Sequence, residues 1–247
     1  MILESASIIG PLHQAYGIPN QDFGITFQTG SWYGGVVCDG VSLNSKRQFS
    51  NSEIASAWCA DFIRNFMEEN LRDADDLSAP ELLLRAFRDC ERVLRDWLSV
   101  LQIPYYDCQT TVILMLLHKG SLYGALAGDG GIVYQRKSGA MGMMITKDKT
   151  SPSVHPICDP AGWRFSIADA GSDPIVKAMA ATDGIFDEIY QLSEQGRTLN
   201  GDLILDFFSI STVEKDQQAV WLREKTASVI SHDDRTVALI AAEENPD

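Results

Sequence analysis

Residues 176–190 read VKAMAATDGIFDEIY, an apolar strand-like run that ends at Asp183-Gly184 and continues with helical spacing as far as Glu194. Two further Asp-Gly pairs, Asp39-Gly40 and Asp129-Gly130, also close apolar runs. Any one pair on its own most simply indicates a turn, because Asp-Gly is a strong hairpin signal. Three such pairs together predict that the chain repeatedly places a carboxylate at the end of a strand.

The segments before and between these pairs alternate in blocks between strand and helix periodicity. Apolar alternation over residues 23–38 predicts two strands joined by a turn. Helical spacing follows over residues 51–71. A second long helix is predicted to begin after Ser78, because Ser78 and Pro80 supply a cap and a first-turn proline. Its apolar spacing continues to Leu101. Two consecutive helices therefore follow the first strands.

Later segments complete the pattern. Residues 110–147 return to short apolar runs separated by glycine turns, which predicts a meander of antiparallel strands. Residues 148–173 are the least regular part, around one strand at 164–168. Helices are then predicted at 185–194, 199–210 and about 213–230, and a last strand at 236–241. Because strands and helices come in blocks, we predict an α+β domain spanning residues 1–247, with two sheets flanked by helices.

Composition excludes several classes of protein. The formal net charge of -14 argues against a nucleic-acid partner, which would require a basic face. No apolar run approaches the roughly 20 residues that span a bilayer, so we expect a cytoplasmic protein without a membrane partner. The five scattered cysteines are typical of small core residues in a reducing compartment. Gly128-Asp129-Gly130-Gly131 lacks the lysine and spacing of a phosphate-binding P-loop.

Two more aspartates, Asp22 and Asp233, also lie next to predicted strands. If the strand ends share one side of the sheets, five carboxylates converge, and their repulsion requires neutralising cations. Mg²⁺ or Mn²⁺ fits such a site, because hard cations prefer oxygen ligands, and the four histidines show no zinc-ligand spacing. Much of the acidic excess is explained equally well by ordinary solvation, in runs such as Asp73 to Asp76.

The motifs occur in a characteristic order that resembles the protein phosphatase 2C family, especially its compact bacterial branch. The resemblance extends from about Ser5 to Ala242, nearly the whole chain. In chain order the motifs are His13-x-x-x-Gly17-x-x-Asn20-Gln21-Asp22, Val36-Val37-Cys38-Asp39-Gly40-Val41-Ser42, Thr110-Thr111, Ala127-Gly128-Asp129-Gly130, Ala181-Thr182-Asp183-Gly184-Ile185-Phe186-Asp187 and Asp233-Asp234-Arg235-Thr236-Val237. The resemblance implies a four-layer α-β-β-α sandwich built on two antiparallel sheets.

The same resemblance implies a role for each acidic motif. Asp39 would bridge two metal ions, and the Gly40 carbonyl would bind the second of them. Asp183 and Asp233 would complete the first ion, while Asp22 would hold metal-bound water. All of these except Gly40 would count as catalytic residues.

Asp129 resembles the aspartate that, with Asp183, forms a weaker third metal site in bacterial relatives. The implied activity is hydrolysis of phosphoserine and phosphothreonine esters by water activated between two Mn²⁺ or Mg²⁺ ions. The implied partners are a phosphoprotein substrate and a cognate Ser/Thr kinase. No protein nucleophile is needed, which agrees with the lack of a Cys-x5-Arg loop around any cysteine.

Two departures from the family pattern favour an alternative function. Gly17 stands where relatives carry a phosphate-gripping arginine, and Val41-Ser42-Leu43 replace the Gly and general-acid His that often follow the bridging Asp-Gly. His13 is a candidate replacement for the arginine, set against a purely structural histidine. The alternative is a catalytically weak or inactive regulatory or binding module on the same scaffold.

Three neighbouring residues have competing interpretations. His232 either orients Asp233 or is a solvated loop histidine. Asp234 is expected to face outward, since adjacent residues of a strand point to opposite sides. Asp187 is expected in the first turn of a helix, where negative charge is favourable.

Overall fold

The structure is a computed structural model that describes residues 1–41, 51–146, 154–193 and 196–243. Two five-stranded antiparallel sheets form its centre. In spatial order, sheet I contains β1 (Ile2–Ile8), β12 (Arg235–Ala241), β9 (Ile175–Ala181), β6 (Gly131–Arg136) and β7 (Met141–Thr146). Sheet II contains β2 (Asp22–Thr29), β3 (Trp32–Asp39), β4 (Val112–His118), β5 (Ser121–Ala127) and β8 (Arg164–Ala168).

Six α-helices, four short 3-10 helices and one small hairpin complete the described structure. The α-helices are α1 (Pro11–Tyr16), α2 (Ser52–Asn70), α3 (Ala79–Leu101), α4 (Asp183–Ile189), α5 (Gly201–Phe208) and α6 (Gln218–Ser228). Strands β10 (Tyr190–Ser193) and β11 (Gly196–Leu199) form the separate hairpin. Among the described residues, none of the helices combines the length and the apolar character that crossing a bilayer requires.

Three buried clusters define the layers. Helices α2 and α3 pack on one face of sheet II, with Val36 on the sheet and Phe87 on the helix in the same cluster. Helices α4, α5 and α6 cover one face of sheet I in a second cluster. Between the sheets, Val37 packs with residues of sheet I such as Ala238. Because neighbouring residues of a strand point to opposite faces, Val36 and Val37 contribute to different layers. The predicted four-layer α-β-β-α sandwich is confirmed.

The predicted meander over residues 110–147 is wrong in one respect. Its four strands are antiparallel, but β4 and β5 belong to sheet II whereas β6 and β7 belong to sheet I. The chain crosses between the sheets after β5, at Gly128, whose φ of 124° favours glycine. A Cβ on Gly130 would lie 2.2 Å from the Ala181 carbonyl oxygen. Asp129 is thereby held at the crossing, next to the end of β9.

The helix predicted over residues 185–194 is wrong from Tyr190 onward, and the one predicted from Leu199 begins two residues later. Helix α4 ends at Ile189, and Tyr190 pairs with Leu199 in the β10–β11 hairpin. Gly196 disfavours a helix through this segment, and residues 194–195 lie outside the described structure. The last predicted helix also begins later than expected, at Gln218, after a 3-10 turn over Lys215–Gln217.

The other strand and helix predictions are confirmed at most positions. Helices α2 and α3 and the edge strand β8 lie where the periodicity placed them. Pro80 lies in the first turn of α3, although Ser78 makes no side-chain capping hydrogen bond to that helix. The short helix α1, which begins at Pro11 and has no buried residue, was not predicted, because its pattern is too short to show an apolar face.

Candidate metal centre

Sheet II places two aspartates side by side. Asp22 begins β2 and Asp39 ends β3, and the antiparallel register makes them direct partners across the two strands. Asp22 is 5% exposed, and its Oδ2 accepts a hydrogen bond of 2.8 Å from the Thr182 hydroxyl. Beyond the effect of burial, the charge of Asp22 raises the pKa of its partner Asp39, because two ionised carboxyls this close repel each other.

Three carboxylates from different parts of the chain meet at this edge. Asp39, Asp129 and Asp183 each offer an oxygen, and these oxygens lie within 4.8 Å of one another. Asp129 follows β5 at the crossing between the sheets, while Asp183 is the first residue of α4 directly after β9. A negative charge is favourable in the first turn of a helix, so α4 stabilises Asp183 at this position.

The electrostatics of the cluster disfavour ionised carboxyls. Burial raises the pKa of Asp39 well above its usual value, and the charges of Asp22, Asp183, Asp129 and Asp233 raise it further. Burial also raises the pKa of Asp22, against which the Thr182 hydrogen bond acts. Divalent cations would offset this repulsion, and an all-oxygen donor set suits Mg²⁺ or Mn²⁺. The residues present therefore fit the metal ions that the sequence predicts.

The backbone of Asp39 is fixed by two buried threonines. The Thr110 hydroxyl and the Thr111 backbone N–H both donate to the Asp39 carbonyl, over 2.9 and 2.8 Å. The Asp39 N–H donates in turn to the Thr111 hydroxyl over 3.1 Å. In the sequence this threonine pair is one of the motifs that resemble the family, with no role assigned to it. Side-chain hydroxyls at adjacent buried positions are the signal that could have indicated a positioning role.

The Thr182 hydroxyl connects the two sheets beneath the cluster. It donates to Asp22 of sheet II and accepts from the Thr236 backbone N–H of sheet I over 3.0 Å. Thr182 is 1% exposed, so both groups would lose a buried partner if the hydroxyl were removed. Thr182 is therefore a positioning residue for Asp22.

Replacing Thr182 by valine, which keeps the shape but removes the hydroxyl, is expected to lower the free energy of unfolding by about 1–3 kcal/mol. It is also expected to weaken Mn²⁺ binding, because Asp22 loses its orientation. Urea unfolding with and without Mn²⁺ measures both effects. Thr212→Val, at an exposed threonine, is the matched control and is expected to change stability by less than about 0.5 kcal/mol. Equal behaviour of the two variants would contradict the assigned role.

Asp233 and Asp234 occupy different environments, and the expectation that Asp234 faces outward is wrong. Asp234 is 2% exposed, whereas Asp233 is exposed. The Asp234 carboxylate accepts from the backbone N–H groups of Gly10 and Gln21, over 2.6 and 2.7 Å. These bonds satisfy the buried charge and hold the segment that precedes Asp22. Asp233 lies outside the group of three converging oxygens but close enough to raise the pKa of Asp39.

The two histidines near the site, His13 and His232, lie in different environments. His13 Nδ1 lies 2.9 Å from Asp234 Oδ2, which is the arrangement of a structural histidine. His232 is exposed, as a solvated loop histidine would be. Gly17 adopts a left-handed conformation with φ of 65° at the end of α1, so a non-glycine residue there would be strained.

Gly40 lies next to Asp39 in the cluster, whereas Asp187 lies away from it on the surface of α4. Gly40 is buried and its N–H donates to the Gln21 carbonyl over 3.0 Å. A Cβ on Gly40 would lie 2.8 Å from that same oxygen, so only glycine fits. Asp187 is exposed in the second turn of α4, not the first, because that helix begins at Asp183. Ser42 and Leu43, which stand where relatives carry the general acid, lie outside the described residues.

Two packed antiparallel sheets with a carboxylate cluster where their strands end are the arrangement that the sequence resemblance to metal-dependent phosphatases implies. The sequence model described as protein phosphatase 2C matches residues 9–224. This chain therefore belongs to the protein phosphatase 2C family. The family consists of protein serine/threonine phosphatases that use divalent metal ions, so the enzyme class expected from the sequence is confirmed.

Solved bacterial phosphatases share the fold at low sequence identity. The serine/threonine phosphatase Stp1 from Staphylococcus aureus is 17% identical with a TM-score of 0.68, over 99% of this chain and 96% of the other. The S. agalactiae serine/threonine phosphatase is 14% identical with a TM-score of 0.63, over 98% and 99%. A structure described as a bacterial serine phosphatase is 15% identical with a TM-score of 0.67, over 100% of both chains. A search of curated proteins found no match.

Proposed function

We propose that this chain is an active serine/threonine protein phosphatase, in which a single domain hydrolyses phosphoserine and phosphothreonine esters with two bound Mn²⁺ or Mg²⁺ ions. The convergence of Asp39, Asp129 and Asp183 within 4.8 Å carries the proposal. Three like charges so close together, one of them buried and two half-buried, are costly unless cations are bound between them. Bound divalent cations would remove this cost, so the cluster supports metal-dependent chemistry.

Each acidic residue has a proposed role. Asp39, which lies at the end of β3 and is half-buried, would bridge the two ions and face the substrate side of the site. Gly40 would offer its carbonyl to one ion. Asp183 and Asp233 would hold the other ion, and Asp22, oriented by Thr182, would accept hydrogen bonds from its water ligands.

Asp129 together with Asp183 would form the weaker third site, since the two carboxylates approach each other at the crossing between the sheets. When bound, divalent cations activate water for in-line attack and neutralise the phosphoryl oxygens. The chain itself contributes the fixed positions of its carboxylates, which the threonines and backbone contacts hold in advance of substrate binding.

The expected partners follow from this chemistry. The substrates would be cytoplasmic proteins phosphorylated on serine or threonine, supplied by a Ser/Thr kinase acting in the same compartment. Purified protein should hydrolyse p-nitrophenyl phosphate and a phosphothreonine peptide with Mn²⁺ or Mg²⁺ and lose this activity in EDTA. Turnover that persists in EDTA would contradict the proposal.

One observation favours a second candidate function, a binding module with little or no turnover. His13, which could have replaced the arginine that grips phosphate in relatives, is bonded to Asp234 instead. Calorimetric titration separates the two functions when it is combined with an activity assay. Mn²⁺ binding without hydrolysis of any phosphopeptide in a degenerate library would favour the module.

A further inference from the structure

A second cluster of reactive side chains lies at the opposite end of sheet II. His118, the last residue of β4, is 3% exposed, and its ring contacts two polar side chains. Nε2 lies 2.8 Å from the Ser31 hydroxyl, and Nδ1 lies 2.7 Å from Asp76 Oδ1. Three segments far apart in sequence therefore meet here: the β2–β3 turn, the connector between α2 and α3, and the end of β4.

The arrangement fixes which nitrogen of His118 carries the proton. The hydrogen bond from His118 lowers the pKa of Asp76, so its carboxylate is ionised at neutral pH and can only accept. Neutral His118 must then carry its proton on Nδ1 to donate to Asp76. Nε2 is left with a lone pair that accepts from the Ser31 O–H. This is the tautomer that a general base acting on a serine requires.

Neighbouring aromatic groups hold the histidine and the carboxylate in place. The Trp32 ring stacks on His118 with centroids 4.0 Å apart and planes 12° apart. The Tyr123 hydroxyl donates to the same Asp76 oxygen over 3.0 Å. Both aromatic residues are buried, so the ring plane and the carboxylate are constrained, while Ser31 is exposed on its turn. A constrained base beside an accessible hydroxyl is the geometry of an activated nucleophile.

The geometry points to a second, metal-independent site in which Ser31 is the nucleophile, His118 the general base and Asp76 the group that orients it, acting on small activated carboxylic esters. Ser31 precedes Asp39 by eight residues along β3, a distance of about 26 Å in an extended strand. The proposal is therefore independent of the phosphatase centre. Because Ser31 lies exposed on a turn, we expect the site to accept only small acyl groups that do not require an enclosed binding pocket.

The covalent steps balance without any cofactor. Ser31 Oγ bonds to the ester carbonyl carbon as its proton passes to His118 Nε2, and that proton then leaves with the alcohol when the carbon–oxygen bond breaks. Water, losing a proton to His118, next attacks the acyl-serine. Serine regains the proton, and the products are one carboxylic acid and one alcohol. Fluorophosphonates would be trapped at the first step, with a new Oγ–P bond and loss of fluoride and a proton.

The test uses the full chain in EDTA, with a fluorophosphonate probe located by peptide mass mapping and 4-nitrophenyl acetate as the ester. We expect a single label on Ser31, and ester hydrolysis that Ser31→Ala lowers by about 10²-fold. Asp76→Asn, at a carboxylate that is 45% exposed, is expected to slow both reactions while leaving the circular dichroism spectrum unchanged. Asp39→Asn is expected to leave both reactions unaffected.

Ser138 is the matched control, because it is also an exposed turn serine whose hydroxyl contacts a carboxylate, Asp173, over 2.6 Å. It differs from Ser31 in that its hydroxyl contacts a carboxylate and not a histidine, so Ser138→Ala is expected to change neither the labelling nor the ester hydrolysis. A label on another residue, no label above that of denatured protein, or labelling of Ser31 that Asp76→Asn does not slow would each overturn the proposal.

Discussion

Asp39→Asn is expected to lower kcat for p-nitrophenyl phosphate by at least about 10²–10³-fold, the typical cost of losing one preorganised charge-stabilising group. The physical reason is that Asp39 lies at the centre of the cluster, adjacent to Asp22 and within 4.8 Å of Asp129 and Asp183. Asparagine has nearly the same shape but cannot neutralise or bridge cations. Steady-state kinetics over a range of Mn²⁺ concentrations measure the loss.

Asp187→Asn is the matched control for this experiment, because Asp187 is an exposed aspartate one turn after Asp183 in α4. It is expected to leave kcat unchanged. Should Asp39→Asn retain the activity of the unaltered chain, the carboxylate cluster would not be the catalytic centre.

The same substitution is expected to stabilise the metal-free protein at neutral pH. The folded-state pKa of Asp39 is raised above 3.8, so its contribution to stability is complete at low pH and is lost as pH rises through the folded value. Asparagine does not ionise, so the Asp39→Asn chain does not lose this stability as pH rises. The difference in Tm between Asp39→Asn and the unaltered chain, both in EDTA, should therefore increase from about pH 4 upward. A difference that stays constant or falls with pH would contradict this electrostatic account.

Asp234→Ala is expected to lower the free energy of unfolding by about 3–5 kcal/mol, as is typical when one partner of a buried charged network is removed. The Asp234 carboxylate is 2% exposed and is the acceptor for Gly10 N–H, Gln21 N–H and His13. The two backbone N–H groups would be left buried without this acceptor, and the half-buried His13 would lose its partner. Urea unfolding followed by circular dichroism gives the difference.

Glu224→Ala, at an exposed position in α6, controls for the loss of an acidic side chain and is expected to cost less than about 0.5 kcal/mol. If Asp234→Ala matched this small effect, the buried network would contribute nothing to stability.

The sequence predicted the layered architecture and most of the strands because period-two and helical spacing are strong in segments such as α3 and β4. It did not predict that β5 and β6 belong to different sheets. A glycine turn looks the same whether it closes a hairpin or carries the chain to another sheet, and only tertiary packing distinguishes the two. For the same reason β10, the first strand of the β10–β11 hairpin, was mistaken for helix.

The acidic residues of the site could be predicted from the sequence, but the residues that position them could not. Asp-Gly pairs after apolar runs located Asp39, Asp129 and Asp183, which the structure brings together. The inward orientation of Asp234 could not be inferred, because Asp233 and Asp234 precede β12 and strand alternation does not yet apply to them. The hydrogen bonds by which Thr182 connects the two sheets were also not predicted, since hydrophobic periodicity does not reveal which hydroxyl will make a tertiary hydrogen bond.

The most direct test of the proposed centre is anomalous X-ray diffraction from crystals of this chain grown with Mn²⁺. The account predicts two strong manganese peaks in contact with the Asp39 carboxylate, one of them also bound by Asp183 and Asp233, and both lost in Asp39→Asn crystals. Ordered side chains at Asp22, Asp39 and Asp183 with no manganese peak between them, at saturating Mn²⁺, would contradict it.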